Sequence, residues 1–243
     1  MWRLALILLW LAAPAWSAQC EDMRHNGIGY TVCTVLPAQE ELRLFLYDKT
    51  GDVHGHFASV DEELAAKGQQ LGFAMNAGMY HDDRAPVGHY VEDGREVMRV
   101  VPNAGPGNFG LLPNGVLCLR PGRADVIETL RFQREAPDCT HATQSGPMLV
   151  IDGAVHPRFL PDSTSRFVRN GVGTSADGKR AVFAISNASV TFYEFAQLFR
   201  DHLKLPNALF LDGNISRLYA PELGRSDFGF ALGPIIGTVV PSN

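Results

Sequence analysis

The chain has 243 residues, of which 46% are hydrophobic and 19% are charged, and its formal net charge is −5. This composition is ordinary for a globular protein. The acidic balance and the lack of a lysine- or arginine-rich run argue against nucleic acid as a partner.

The N-terminus has the features of a secretory signal. Arg3 supplies a positive charge, residues 4–11 are apolar, and small residues suited to cleavage follow at 13–18. The apolar run is too short to span a membrane. A retained signal anchor stays open as an alternative, and a lipoprotein anchored at Cys20 is a weaker one. We predict a signal peptide over residues 1–18 and a periplasmic or secreted protein with no stable membrane span after its removal.

The remaining residues, 19–243, are enough for one domain with its own core. Four cysteines fit an oxidising compartment. Three connectivities are possible, and we favour sequential pairing, which joins Cys20 to Cys33 and Cys118 to Cys139. Free buried thiols are the alternative, which export makes less favourable.

Most of the predicted elements are strands, and two helices are also predicted. Ser59 and Glu62 have capping-box spacing, which predicts a helix over 60–67. Thr191 and Glu194 form a second capping box, followed by an apolar stripe that ends near Pro206. A proline- and glycine-rich loop is predicted at 101–110. Strands are predicted at 42–47, 73–75, 115–119, 126–132, 148–151, 181–186 and 208–211. We therefore predict a single α+β domain whose mixed or largely antiparallel sheet is covered by a few helices.

Three apolar strands run into, or follow, small and polar residues. Asp212 and Gly213 follow the strand at 208–211, Asn76 follows the strand at 73–75, and Ser145 precedes the strand at 148–151. A carboxylate at a strand end can serve a cleft at the sheet edge, although Asp-Gly is also a common turn pair. The three junctions predict one site assembled from strand ends.

These segments, in this order, resemble the phosphodiester glycosidase family. The family pattern is roughly Asn-Gly-Gly-Phe-Phe, Ser-Gly-Pro-x-Leu, Arg-x-x-x-Gly and Leu-Asp-Gly-Gly-x-Ser. The chain has Asn76-Ala-Gly-Met-Tyr80, Ser145-Gly-Pro-Met-Leu149, Arg169-Asn-Gly-Val-Gly173 and Leu211-Asp-Gly-Asn-Ile-Ser216. Ala77 and Asn214 replace glycines of the pattern. The resemblance implies an exported hydrolase that cleaves a sugar from a sugar-1-phosphodiester or a related glycan-phosphate.

The resemblance also assigns roles to residues. Asp212 is the candidate general base or nucleophile, and Arg169 is the catalytic candidate for the phosphate, because its planar fork can hold two oxygens. Arg217 is the second candidate for the phosphate, because it closely follows the Asp212 turn. A turn-capping acid and a salt-bridged arginine are the structural alternatives. Substrate-binding candidates are Asn76, Gly78, Tyr80, Ser145, Gly146, Gly213, Asn214, Ser216 and Arg217.

Cofactor and alternative functions are less constrained by the sequence. No cofactor is required, and a calcium or magnesium ion is an open option. His54 with His56, and His81 with Asp82 and Asp83, match no recognised zinc spacing. The main alternative function is a non-catalytic envelope protein that binds glycan or glycan-phosphate in the same cleft. A hydrolase with Ser145 as nucleophile is a weaker one, because no histidine is placed to activate it.

Overall fold

A computed structural model describes residues 18–212 and 215–242 of the chain. The predicted signal peptide falls, apart from Ala18, outside the described residues, and so do Gly213 and Asn214. None of the helices in the described part is long and apolar enough to span a bilayer.

The described residues form seventeen β-strands and three α-helices. In chain order the strands are β1 Gln19–His25, β2 Ile28–Val35, β3 Glu41–Phe45, β4 Gln69–Asn76, β5 Tyr90–Glu92, β6 Arg95–Met98, β7 Gly115–Arg120, β8 Arg123–Glu128, β9 His141–Ser145, β10 Met148–Ile151, β11 Ala154–Val155, β12 Asn170–Thr174, β13 Ala181–Ser186, β14 Asn207–Phe210, β15 Leu218–Ala220, β16 Arg225–Ser226 and β17 Ile235–Pro241. The helices are α1 Phe57–Ala65, α2 Thr129–Glu135 and α3 Phe192–Gln197, with a π-helical turn at Leu198–His202 and a 3₁₀ turn at Pro221–Leu223.

The strands form three sheets in which the named strand pairs are antiparallel. The first sheet has the order β1-β2-β13-β12-β14-β10-β11, the second β16-β15-β4-β17-β3, and the third β6-β5-β9-β7-β8. The α+β class and the antiparallel pairing are confirmed. The strands are divided among three sheets, however, where the sequence predicted one.

The three sheets share one apolar core, and a helix covers the other face of each. Leu44 and Phe73 of the second sheet, Leu117 of the third, and Phe183 and Leu209 of the first all belong to the shared core. The outer faces pack separately, the first sheet against α3, the second against α1, and the third against α2. The central strands of each sheet are thus buried on both sides, which explains why strands such as β13 and β14 are apolar at successive positions.

The two predicted helices exist, but only one starts as predicted. The capping box at Thr191 is confirmed, because its hydroxyl accepts from the Glu194 amide at 3.1 Å and the Glu194 carboxylate accepts from the Thr191 amide at 2.9 Å. The capping box at Ser59 is wrong. Helix α1 begins at Phe57 with no side-chain cap, and the Ser59 hydroxyl bonds to the His54 ring at 3.1 Å.

The predicted strand at 126–132 is half wrong. Strand β8 ends at Glu128, whose carboxylate accepts from the backbone amides of Leu130 and Arg131 and caps α2. The strand therefore ends where the Glu128 side chain caps the helix, and the apolar residues of the segment beyond it belong to α2.

Both predicted disulfides are present. Cys20–Cys33 joins paired positions of the β1–β2 hairpin, and Cys118–Cys139 ties β7 to the segment between α2 and β9. No free cysteine lies in the described residues. Such bridges persist in oxidising compartments, so they are consistent with an extracytoplasmic protein.

Candidate active site

Asn170 is the centre of a buried hydrogen-bond network that connects strand ends. It begins β12 and is fully buried. Its side-chain oxygen accepts from the Asp212 amide at 3.2 Å, the Ser216 hydroxyl at 3.3 Å and the Asn76 side-chain amide at 3.4 Å. Its own side-chain amide donates to the Asn76 carbonyl at 2.9 Å. One residue therefore holds together the Asn76 and Asp212 segments.

Asn76 ends β4 and positions the chain that follows Asp212. Its side-chain oxygen accepts from the Arg217 backbone amide at 2.9 Å. Because β4 belongs to the second sheet and Asn170 to the first, this network joins two sheets at one place.

Ser145 fixes the strand that carries Asp212. Its buried hydroxyl donates to the Leu211 carbonyl at 2.5 Å, and the Leu211 amide donates to the Asn170 carbonyl at 3.2 Å. Ser145 ends β9 of the third sheet, so all three sheets contribute to the setting of Asp212. Since this hydroxyl is buried and committed to a carbonyl, the geometry gives no support to Ser145 as a nucleophile.

Tyr80 is influenced by charges of both signs. Burial raises the pKa of the Tyr80 phenol above its usual value, and the negative charge of Asp212 raises it further, while the Arg84 and Arg217 charges act in the opposite direction. Burial likewise lowers the pKa of Arg217, against the opposing influence of Tyr80 and Asp227.

Arg217 has an unusual environment for a buried cation. It is 7% exposed, and its guanidinium makes no hydrogen bond with any other described residue. It packs against Gly229, where a Cβ atom would lie 2.6 Å from Nη2. No other described residue uses the donors of this guanidinium, so those that reach the cleft can bind an anion.

Ser216 and Arg217 line an open cleft of about 640 Å³, which we call the Arg217 cleft. Its other lining residues are Arg166, Phe167, Val168, Ser189, Ile215, Asp227, Phe228, Gly229 and Phe230.

Arg169 is not part of the Asn170 network, although it is the neighbouring residue. It is 1% exposed, its guanidinium carbon lies 3.6 Å from the Phe192 ring centre, and its nitrogens donate to the carbonyls of Val190 at 3.0 Å and Ser165 at 3.3 Å. Burial lowers its pKa to about 10. Its contact with Phe192, the first residue of α3, places the Arg169 side chain on the α3 side, whereas Asn170 bonds to Asn76 of the second sheet. Its predicted contact with phosphate stays a prediction, and the cleft-lining arginines are Arg166 and Arg217.

The two described site glycines serve close packing. A Cβ atom on Gly78 would lie 2.4 Å from the Thr143 hydroxyl, and one on Gly146 would lie 2.6 Å from Cβ of Asn114. The Gly78 amide already donates to the Thr143 hydroxyl at 3.2 Å. Their predicted contact with substrate stays a prediction, as do those of Gly213 and Asn214, which are outside the described residues.

The histidines considered as metal ligands are separated. The buried His54 faces Ser59 and lies 3.7 Å from the Glu63 carboxylate, whereas His56 stacks on Phe228. No group of three or more metal-binding side chains occurs within residues 18–212 and 215–242. A divalent cation stays an untested option.

The functional residue that the sequence analysis missed is Asn170. The only signal was its place in the motif Arg169-Asn-Gly-Val-Gly173, where the neighbouring arginine offered the more obvious chemistry for phosphate.

Comparisons with known proteins show the family and the fold of this chain. The phosphodiester glycosidase family model matches residues 69–226. The uncharacterized protein YigE of Escherichia coli (strain K12) is 32% identical over 218 residues, which are 89% of this chain and 83% of YigE. The zebrafish N-acetylglucosamine-1-phosphodiester alpha-N-acetylglucosaminidase catalytic domain, solved auto-inhibited by its pro-peptide, has the same fold with a TM-score of 0.62 at 12% identity, covering 94% of this chain and 85% of that one. A hypothetical protein from Synechocystis aligns with a TM-score of 0.61 at 13% identity, over 92% of this chain and 62% of that one. The chain therefore belongs to the phosphodiester glycosidase family.

Proposed function

We propose that the protein is an exported hydrolase that cleaves a sugar from a sugar-1-phosphodiester. In this reaction water adds to the anomeric carbon, the bond from that carbon to the phosphate oxygen breaks, and the products are the free sugar and a phosphomonoester. A phosphomonoester is a good leaving group, so the demands on the protein are to bind the anion, activate the attacking group and stabilise an oxocarbenium-like transition state.

The observation that carries this proposal is that strand ends of all three sheets, through Asn76, Ser145 and Asn170, hydrogen-bond to the segment that holds Asp212 and Arg217. Arg217 offers unused donors for the phosphate. Asp212 supplies a carboxylate for the sugar side, either as general base or as nucleophile, and the Asn170 network fixes its backbone. Arg169 takes a positioning role, since it holds the Ser165 and Val190 carbonyls beneath the cleft wall.

The test is a panel of sugar-1-phosphodiesters on which free sugar and phosphomonoester are both quantified. Stoichiometric release of the two products supports the proposal, and release of neither from any member contradicts it. Asp212→Asn keeps the shape of the side chain and removes its charge, so we expect turnover to fall by roughly 10²–10⁴ with KM little changed. A folded Asp212→Asn protein with wild-type turnover would contradict the catalytic role of Asp212. The glycan-binding alternative would lead if the wild-type protein bound a sugar phosphodiester without turning it over.

A further inference from the structure

The Arg217 cleft has a rim of exposed aromatic side chains. Phe228 is 92% exposed and Phe230 is 79% exposed, and they flank Gly229, the residue on which the Arg217 guanidinium packs. The partly exposed Phe167 and Val168 line the same cleft. Contiguous exposed apolar side chains beside a cleft are typical of binding sites.

The polar side chains of the cleft are mostly occupied by partners within the protein. Arg166 pairs with Glu194 at 2.8 Å, and Asp227 pairs with Arg225 at 2.9 Å. The Ser216 hydroxyl bonds within its own loop, to the Asp212 carbonyl at 3.0 Å. Apart from Ser189, Arg217 is therefore the polar side chain of the cleft whose donors no described residue uses, and the exposed Phe228 and Phe230 lie beside it.

Contacts between the Asp212 segment and the cleft orient a substrate along it. Ser216, a lining residue, donates to the Asp212 carbonyl at 3.0 Å, and the next residue, Arg217, packs against Gly229 between Phe228 and Phe230. In a sugar-1-phosphodiester the phosphate lies between the sugar and the aglycone. With the sugar at Asp212 and the phosphate at Arg217, the aglycone falls beside Phe228 and Phe230.

We propose that this cleft binds an apolar aglycone, so that the substrate is an amphipathic phosphodiester with a sugar on one side and a hydrocarbon chain on the other. The orientation rests on the proposed function, whereas the pairing of a free guanidinium with an aromatic rim does not. A polyhydroxylated aglycone would find few free polar partners here, while a hydrocarbon chain would remove the phenyl rings from water.

The test measures binding separately from turnover. Methyl, hexyl and decyl phosphate, each below its critical micelle concentration, are titrated into the protein by calorimetry. We expect the Kd to fall at least tenfold from methyl to decyl phosphate. The double variant Phe228→Ser/Phe230→Ser should lose this dependence and keep the methyl phosphate Kd. Leu130→Ser is the matched control, because Leu130 is an exposed apolar residue of α2 outside the cleft.

A Kd that is independent of chain length in the wild-type protein, or a dependence that survives in the folded double variant, would overturn the proposal. If the alkyl series is flat while sedimentation with phosphatidylcholine vesicles depends on Phe228, the rim is a membrane contact and the aglycone assignment is wrong. Chain-length-dependent binding in a protein that hydrolyses no sugar phosphodiester would keep the apolar binding site but overturn both the proposed function and the aglycone assignment, whereas turnover with a flat alkyl series would overturn this inference alone.

Discussion

Arg169 and Arg217 are both almost fully buried, yet their guanidinium groups have different neighbours. Arg169 is enclosed by aromatic rings and donates to two carbonyls, whereas Arg217 lines a cleft without a hydrogen-bond partner among the described residues. Arg169 therefore contributes to the packing of the protein, whereas the guanidinium of Arg217 can bind a ligand.

This difference predicts separable effects of one substitution at the two positions. Arg217→Lys keeps a charge but loses the planar fork, so we expect KM on an active sugar phosphodiester to rise about tenfold, with kcat and thermal stability little changed. Arg169→Lys loses the stacking on Phe192 and one carbonyl contact, and should destabilise the fold by roughly 1–3 kcal/mol. Steady-state kinetics and urea unfolding on both variants make the comparison. A higher KM in a fully stable Arg169→Lys protein would return the phosphate contact to Arg169.

The sequence could not distinguish these arginines, because the distinction depends on which way each side chain points. Asp212 and Asn76 were predictable from the polar residues that follow apolar strands. Arg169 attracted the phosphate assignment because it heads a motif, but its guanidinium contacts Phe192 of α3 and the Val190 carbonyl, and it is Asn170 that bonds to the Asp212 amide.

At the scale of elements, the two disulfides constrain segments of different kinds. Cys20 and Cys33 are paired positions of a hairpin whose ladder also holds them together. Cys118 and Cys139 are 21 residues apart, and both pack in the apolar layer beneath α2.

We therefore expect the Cys118→Ala/Cys139→Ala protein to lose more stability than the Cys20→Ala/Cys33→Ala protein. The longer closed loop alone accounts for only about 0.4 kcal/mol of the difference, and the larger part should come from loosened packing between α2 and the third sheet. Thermal unfolding of the two double variants, with intact-mass analysis of the remaining bridge, checks the order. An equal or greater loss at Cys20 and Cys33 would contradict it.

The ends of helices and strands were predictable where hydrogen bonds between residues close in sequence determine them. Thr191 and Glu194 satisfy each other's backbone amides, so this helix start follows from sequence alone. At Ser59 the same pattern failed, because the hydroxyl has a tertiary partner in His54 and the helix starts earlier.

For the whole molecule, the half-buried acid Glu92 makes the free energy of unfolding depend on pH with a definite sign. Partial burial raises its pKa from the usual 4.5 to about 7. The folded state therefore holds the proton more tightly than the unfolded state, and its stabilising effect is complete below about pH 4.5 and is lost as the pH rises to about 7.

Glu92→Gln should accordingly gain stability relative to the wild-type protein as the pH rises through this window. The buried histidines, whose pKa values are lowered by burial, act in the opposite direction in both proteins and cancel in the comparison. Urea unfolding from pH 4.5 to 7.5 measures the difference, with the exposed Glu21→Gln as control. A difference that stays constant with pH would show that Glu92 does not titrate in this range.

The α+β class followed from composition and element order, but the division into three sheets did not. Strand β4 pairs with β17 about 160 residues away, as Phe73 opposite Thr238 shows. Such pairings depend on which apolar faces pack together in the folded protein, and the hydrophobic pattern of a single strand does not predict them.

The meeting of three sheets at Asp212 makes the completed candidate site a late event in folding. Individual hairpins can form early from local contacts, but we expect Asn76, Ser145 and Asn170 to come together only after every sheet has docked on the shared core. During refolding, the return of the proposed activity should therefore lag behind the return of strand structure. A partly folded chain would lack the site, and a substitution that loosens one sheet would disturb it.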